Sequence, residues 1–175
     1  MIDFMSSSPS AIVITVPEAD EVVDRLRTPA KDAGWRRMPA HITLLGPFVP
    51  DPDPGVVEEL RFFFSKVDGF ALSFSEVREF PGVVWLAPEQ SDELRNLTEA
   101  LVRRWPDFPA YGGEFDEITP HLTVAHTDDP ARASGVREAA QAALPIKASA
   151  AEASLWLREP EGWRKLADFP FAEGD

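Results

Sequence analysis

The run Pro39-Ala40-His41-Ile42-Thr43-Leu44 and its echo Thr119-Pro120-His121-Leu122-Thr123-Val124 decide how this chain is read. Each copy passes a proline and continues as His-x-Thr-apolar. A strand sends successive side chains to opposite faces, so His41 and Thr43 share one face while Ile42 and Leu44 take the other. His121 and Thr123 repeat the arrangement. Each strand then offers an imidazole that moves a proton near neutral pH beside a hydroxyl that hydrogen-bonds a phosphoryl oxygen. The chain holds three histidines, and two of them sit in these motifs. A half-buried strand ordinarily places apolar residues on its inward face. Both copies place His and Thr there at the same offset, which favours a functional pair over two structural imidazoles.

Working outward, residues 11–16 read as a strand. After Pro17, the acidic Glu18-Ala19-Asp20-Glu21 with Val22, Val23 and Leu26 marks an amphipathic helix that Thr28-Pro29 ends. A turn-rich stretch through Gly34 leads to the first His strand, which Pro47 is expected to stop. Asp51-Pro52-Asp53-Pro54-Gly55 is a loop opening a helix with Val56, Leu60, Phe63, Phe64 and Val67 at helical spacing. Phe70, Leu72 and Phe74 alternate as a strand running toward Phe80. Pro81-Gly82 turns the chain into a short strand over 83–87, and the next helix carries Leu94, Leu97, Leu101 and Trp105 on one stripe. A loop over 106–120 contains Tyr111-Gly112-Gly113. Beyond the second His strand, Thr127-Asp128-Asp129-Pro130 leads into an alanine-rich helix reaching Leu144. Strands near 146–157 and 163–169, joined by a turn at Glu161-Gly162, complete the pattern.

The two halves therefore run in the same order: strand, helix, His strand, helix, strand. Val13-Ile14-Thr15-Val16-Pro17-Glu18 also echoes Val84-Trp85-Leu86-Ala87-Pro88-Glu89. The expectation is one domain over 1–175 built from pseudo-repeats at about 11–80 and 83–157, paired about a pseudo-two-fold so that the two His strands meet.

Bulk composition bounds the rest. A length of 175 residues with 44% hydrophobic content suits one well-packed domain. There is no cysteine, so disulfides and thiolate metal sites are excluded and a reducing cytoplasm is expected. Met1-Ile2-Asp3-Phe4-Met5-Ser6 has neither a basic nor an apolar leader pattern, and no apolar run approaches the length of a membrane span. The net charge of −13 repels polyanions and serves solubility, which argues against an extended RNA-gripping surface while leaving room for a small phosphorylated substrate in a local pocket.

His41-Ile42-Thr43-Leu44 and His121-Leu122-Thr123-Val124, in their duplicated setting, resemble the two-histidine (2H) phosphoesterases. These include the 2′-5′ RNA ligase-like proteins and the cyclic nucleotide phosphodiesterases. The resemblance implies an α+β, bilobed fold in which two antiparallel sheets flank a central cleft with helices outside. It also implies chemistry on 2′,3′-cyclic phosphates or 2′-5′ linkages of nucleotides or RNA ends, without a metal or other cofactor. Carried onto matching positions, His41 and His121 are the acid and base, and Thr43 and Thr123 bind phosphoryl oxygens. A histidine pair of ordinary pKa suits that task, and the hydroxyls suit the charge of the transition state.

Many family members carry a basic residue shortly after the second motif, where this chain has Thr123-Val124-Ala125-His126. His126 has the wrong parity to join His121 unless a bulge intervenes, and is read as a structural or surface residue. Phe48 and Tyr111, in loop-like stretches, are candidates for stacking a base. Trp85 is read as core, and Trp35-Arg36-Arg37 as a solvated turn. Two other classes stay open: a non-catalytic nucleotide or RNA-end binding module of the same fold, and a zinc hydrolase using all three histidines. The latter lacks any His-x-His or Glu-accompanied pair.

Overall fold

Alternation within the strands sets the layering, as the computed structural model of residues 8–28 and 35–173 shows. The expectations for the first six residues, for Pro29 and for the turn through Gly34 lie outside the described residues. In β1 (Ser10–Thr15), Ile12 and Ile14 enter the main core, whereas Ala11 and Val13 join a smaller cluster with Met38, Trp156 and Trp163. These clusters lie on opposite faces of one sheet. The helices α1 (Asp20–Leu26), α2 (Pro54–Phe64), α3 (Ser91–Arg104) and α4 (Pro130–Ala142) send their buried residues to the main core, and so cover that face.

Helix starts follow the sequence closely. Asp53 and Asp129 each accept a hydrogen bond from a first-turn amide, Val56 N at 2.9 Å and Ala131 N at 3.0 Å, with proline next in line. An aspartate cap followed by a proline that has no amide to satisfy is a favoured helix start. In α3 the expected stripe of Leu94, Leu97 and Leu101 is buried.

The remaining strands are β2 (His41–Phe48), β3 (Phe70–Phe80), β4 (Val83–Pro88), β5 (Leu122–His126), β6 (Ile146–Ala150), β7 (Glu152–Glu159) and β8 (Gly162–Pro170). They form one antiparallel sheet in the order β6-β3-β4-β5-β2-β1-β7-β8. The two sheets expected from the resemblance are thus joined into one. The join is narrow, a single β2–β5 partnership of Ile42 with Leu122. Both residues are fully buried, so their backbone groups have no water to turn to and pair across the seam.

The long strand expected near 146–157 is divided at Ala151. Its first part, β6, pairs with β3, and its second, β7, pairs with β1 and β8 at the other end of the sheet. Pro47 does not stop β2, which continues to Phe48 opposite Ser10. The ladder is irregular between Ser10 and Ile12, where a residue without an N–H is tolerated. Among the described residues, no helix is long and apolar enough to cross a membrane.

Candidate active site at the β2–β5 seam

Register places the two motifs. With Ile42 opposite Leu122, one step either way sets His41 opposite Thr123 and Thr43 opposite His121. Cross-strand partners share a face, so all four side chains lie on the face away from Ile42, Leu122 and the helices. Diagonal neighbours in such a ladder lie about 7–8 Å apart, which is the relation of His41 to His121. His41 is nearly buried, and His121, Thr43 and Thr123 are partly exposed.

The two imidazoles are held alike. His41 Nδ1 meets the carbonyl of Pro39 at 2.8 Å, and His121 Nδ1 meets that of Thr119 at 2.7 Å. A carbonyl only accepts, so Nδ1 carries the hydrogen in both rings and Nε2 is the nitrogen left for chemistry. The approach to His41 is pinned from several sides. Ala40 N donates to Asp20 Oδ1 at 2.9 Å, Val16 N donates to Ala40 O at 2.8 Å, and Arg27 Nη1 donates to Met38 O at 2.6 Å. On the other side, the Tyr111 hydroxyl donates to Thr119 O at 3.0 Å and accepts from Thr119 N at 3.2 Å, fixing the carbonyl that holds His121.

Burial pulls the His41 pKa down to about 4. The Pro39 carbonyl opposes this, while Arg27 and His121 add to it. His121 is also lowered, first by burial, with the Thr119 carbonyl opposing and His126 adding. Desolvation dominates both, because a buried imidazolium loses its water.

Both motifs carry a bulge at the residue after threonine. Val13 pairs with Thr43 and Ile12 with Leu45, so Leu44 is the extra residue. Trp85 pairs with Thr123 and Val84 with Ala125, so Val124 is the extra residue. The bulged Leu44 carbonyl is met by the buried Thr98 of α3, whose Oγ1 donates to it at 2.7 Å. The second bulge reverses the parity of the residues after it and brings His126 onto the face of His121 and Thr123. The reading of His126 as an off-face residue is corrected accordingly. Its ring stacks on Trp35 at 6.2 Å and 9°, and Trp35 lies 5.1 Å from the His41 ring. A signal was available in the sequence: Leu44-Leu45 and Val124-Ala125 are consecutive apolar pairs that break strict alternation.

This geometry offers two Nε2 atoms and two hydroxyls on one wall, suited to moving protons around an anionic group. The sequence profile of the 2′-5′ RNA ligase superfamily matches residues 15–162, a span that holds both motifs. The chain belongs to that superfamily.

Solved structures agree on the fold. E. coli LigT complexed with 3′-AMP is 16% identical, covers 95% of this chain and 99% of its own, and superposes with a TM-score of 0.62. E. coli LigT complexed with NADP+ is 19% identical, covers 95% and 98%, and gives 0.58. A protein of Thermus thermophilus is 17% identical, covers 95% and 100%, and gives 0.55. Among curated proteins none matches the sequence.

The aromatic residues of this superfamily member are placed unevenly. Phe48 is 2% exposed and packs edge-on against Trp105 and Phe108 at 5.5 Å, so it has no face for a base, and its candidacy is withdrawn. Its position, expected to be a loop, is the end of a strand. Tyr111 lies on the site side, its ring 6.2 Å from that of His121. Trp85 is buried, as expected, yet its ring is 5.9 Å from His121 and stacks on Phe80 at 4.6 Å. Phe80, which no sequence pattern singles out, lies 5.4 Å from His121. Trp35 also departs from expectation. Arg36 and Arg37 form the exposed turn expected, but Trp35 itself is half-buried and stacks on Trp163 at 6.1 Å as well as on His126.

Proposed function

We propose that this protein is a metal-independent phosphodiesterase that hydrolyses 2′,3′-cyclic phosphate or 2′-5′ linkages of nucleotides or RNA ends. The observation that carries this reading is the matched anchoring of His41 and His121, each through Nδ1 to the carbonyl two residues earlier. Two imidazoles presenting Nε2 to one wall suit a reaction that takes a proton from water on one side of phosphorus and returns one to the departing ribose oxygen on the other. Thr43 and Thr123 are the hydroxyl donors for the non-bridging oxygens, where charge builds in the transition state. The product of a cyclic substrate is then a phosphomonoester that keeps water's second proton on its new oxygen, and the pair resets when the base passes its proton through solvent back to the acid. The anchoring is alike but the burial is not: His41, drawn down to about 4, rests neutral at pH 7, the form a base needs, and the proton for the departing oxygen falls to the more exposed His121.

The experiment is turnover of 2′,3′-cyclic nucleotides and 2′-5′ dinucleotides, with and without chelator, by wild type, His41→Ala and His121→Ala. Each variant should lose about 10²–10⁴-fold, the scale for one positioned proton-transfer group. Wild-type rates in either variant, or binding with no turnover by the wild type, would overturn the assignment. The second outcome would make the protein a nucleotide-binding module.

A further inference from the structure

Beside His121 lies a cavity of about 820 Å³ whose walls include Phe80, Tyr111 and Phe115 and whose polar members include Asp116 and Glu117. That volume falls in the range of about 300–1,000 Å³ usual for small-molecule sites. Phe80 and Phe115 are two of the three exposed large hydrophobic side chains among the described residues, at 36% and 65%, and both face this one cavity. Exposed aromatic surface gathered at one concavity marks a binding face. Phe115 stands edge-on to Tyr111 at 5.8 Å and 83°, so the walls are aromatic planes set at an angle.

The polar readout can be narrowed by elimination. The Tyr111 hydroxyl is committed to Thr119 as both donor and acceptor, and among the described residues neither lysine nor arginine lines the cavity. Beside the Thr119 hydroxyl at the His121 end, what remains for reading a ligand's outer edge is the pair of carboxylates of Asp116 and Glu117, which accept hydrogen bonds and do not donate them. A phosphate chain is disfavoured there, and a flat ring with adjacent donors is favoured. Among the four common bases, guanine alone presents two parallel donors on neighbouring positions, N1–H and the 2-amino group. These match the two oxygens of one carboxylate as a bidentate pair.

We infer that this cavity is a guanine-selective base site, so that the substrate is a guanosine-terminated phosphodiester. The inference rests on the reading that His121 receives the phosphate of a nucleotide. A ring on Phe115 and Phe80 would stack sequence-tolerantly, while Asp116 or Glu117 would supply the discrimination.

The test compares 2′-GMP, 2′-IMP and 2′-AMP binding by calorimetry at pH 7. Inosine differs from guanosine by the 2-amino group alone. Wild type should bind 2′-GMP about 3- to 30-fold more tightly than 2′-IMP, the scale of one solvent-exposed hydrogen bond to a charged acceptor. The double variant Asp116→Asn/Glu117→Gln should erase that difference. Phe115→Ala should weaken both ligands about equally, by about fivefold or more. Equal affinity for 2′-GMP and 2′-IMP in the wild type, or an undiminished preference in the double variant, would overturn guanine selection. Turnover of the matching 2′,3′-cyclic nucleotides separates this from the function proposed above. Hydrolysis of all three with equal efficiency would refute guanine selection and leave the phosphodiesterase reading intact. Selective 2′-GMP binding without hydrolysis would do the reverse.

Discussion

Acid should unfold this protein partly through one buried ring. His41 titrates at about 4 in the folded state, against an ordinary value of 6.5 in the unfolded chain. Between those values the unfolded chain binds the proton that the folded one refuses, so stability rises with pH across this window and falls as the medium is acidified. The gap corresponds to on the order of 3 kcal/mol, arriving at about 1.4 kcal/mol per pH unit once below 6.5. His41 is 5% exposed, so solvent screening does little to reduce it. The assay is urea unfolding at pH 7, 6, 5 and 4.5 for wild type and His41→Gln, a side chain that does not titrate and whose amide can still donate toward the Pro39 carbonyl. Subtracting the two profiles removes what carboxylates and His121 contribute in common. Wild type should lose its advantage steadily as pH falls. Parallel profiles from pH 7 to 4.5 would refute the argument that His41 is held neutral by burial.

Three further perturbations test other parts of the structure. Gly162 has φ +132°, and a Cβ there would lie 2.6 Å from the Arg36 carbonyl oxygen, so Gly162→Ala should destabilise by about 1–3 kcal/mol and alter the fluorescence of the stacked Trp35 and Trp163, as thermal and emission measurements would show. Tyr111→Phe strips Thr119 of both hydrogen bonds to the hydroxyl; it should lower kcat/KM several-fold and cost about 1 kcal/mol of stability, and an unchanged rate would mean that the Thr119 carbonyl holds His121 unaided. Thr43→Val and Thr123→Val keep the branched shape, so the melting temperature should hold while kcat/KM drops by about tenfold to a hundredfold; equal rates would remove the hydroxyls from phosphate binding.

Much of this architecture could be read from the chain because its signals are local. Asp53-Pro54 and Asp129-Pro130 announce helix starts, and Leu94, Leu97 and Leu101 repeat at helical spacing. The shared face of His41, Thr43, His121 and Thr123 follows from parity, provided the two strands pair as they do at Ile42 and Leu122. What escaped depends on contacts distant in sequence. Phe48 reads as loop because Pro47 precedes it, yet Trp105 and Phe108 draw it into the core. Trp35 reads as a surface turn because its stacking partner Trp163 lies 128 positions away (163 − 35). His126 was displaced by one bulge residue, and a bulge is set by the neighbouring strand as much as by its own residues.

The order of the strands also bears on how the chain is made. β1 and β2 occupy one half of the sheet, the next four strands occupy the other, and β7 and β8 return to the first. β1 therefore has one lateral neighbour, β2, close behind it, while its other edge waits for β7, where Ser10 meets Leu157. At ordinary rates of translation that wait is on the order of 10 s, during which an apolar strand edge stands open on the ribosome. The half made of β3 to β6 is one continuous piece of chain, whereas the half that holds the first motif is built from both ends, so a fragment ending between the two motifs should not assemble its half of the site. Such long-range pairing also makes for slow folding. The first His strand is synthesised long before the second, and the two imidazoles become neighbours only when β5 reaches β2 at the seam between the two halves.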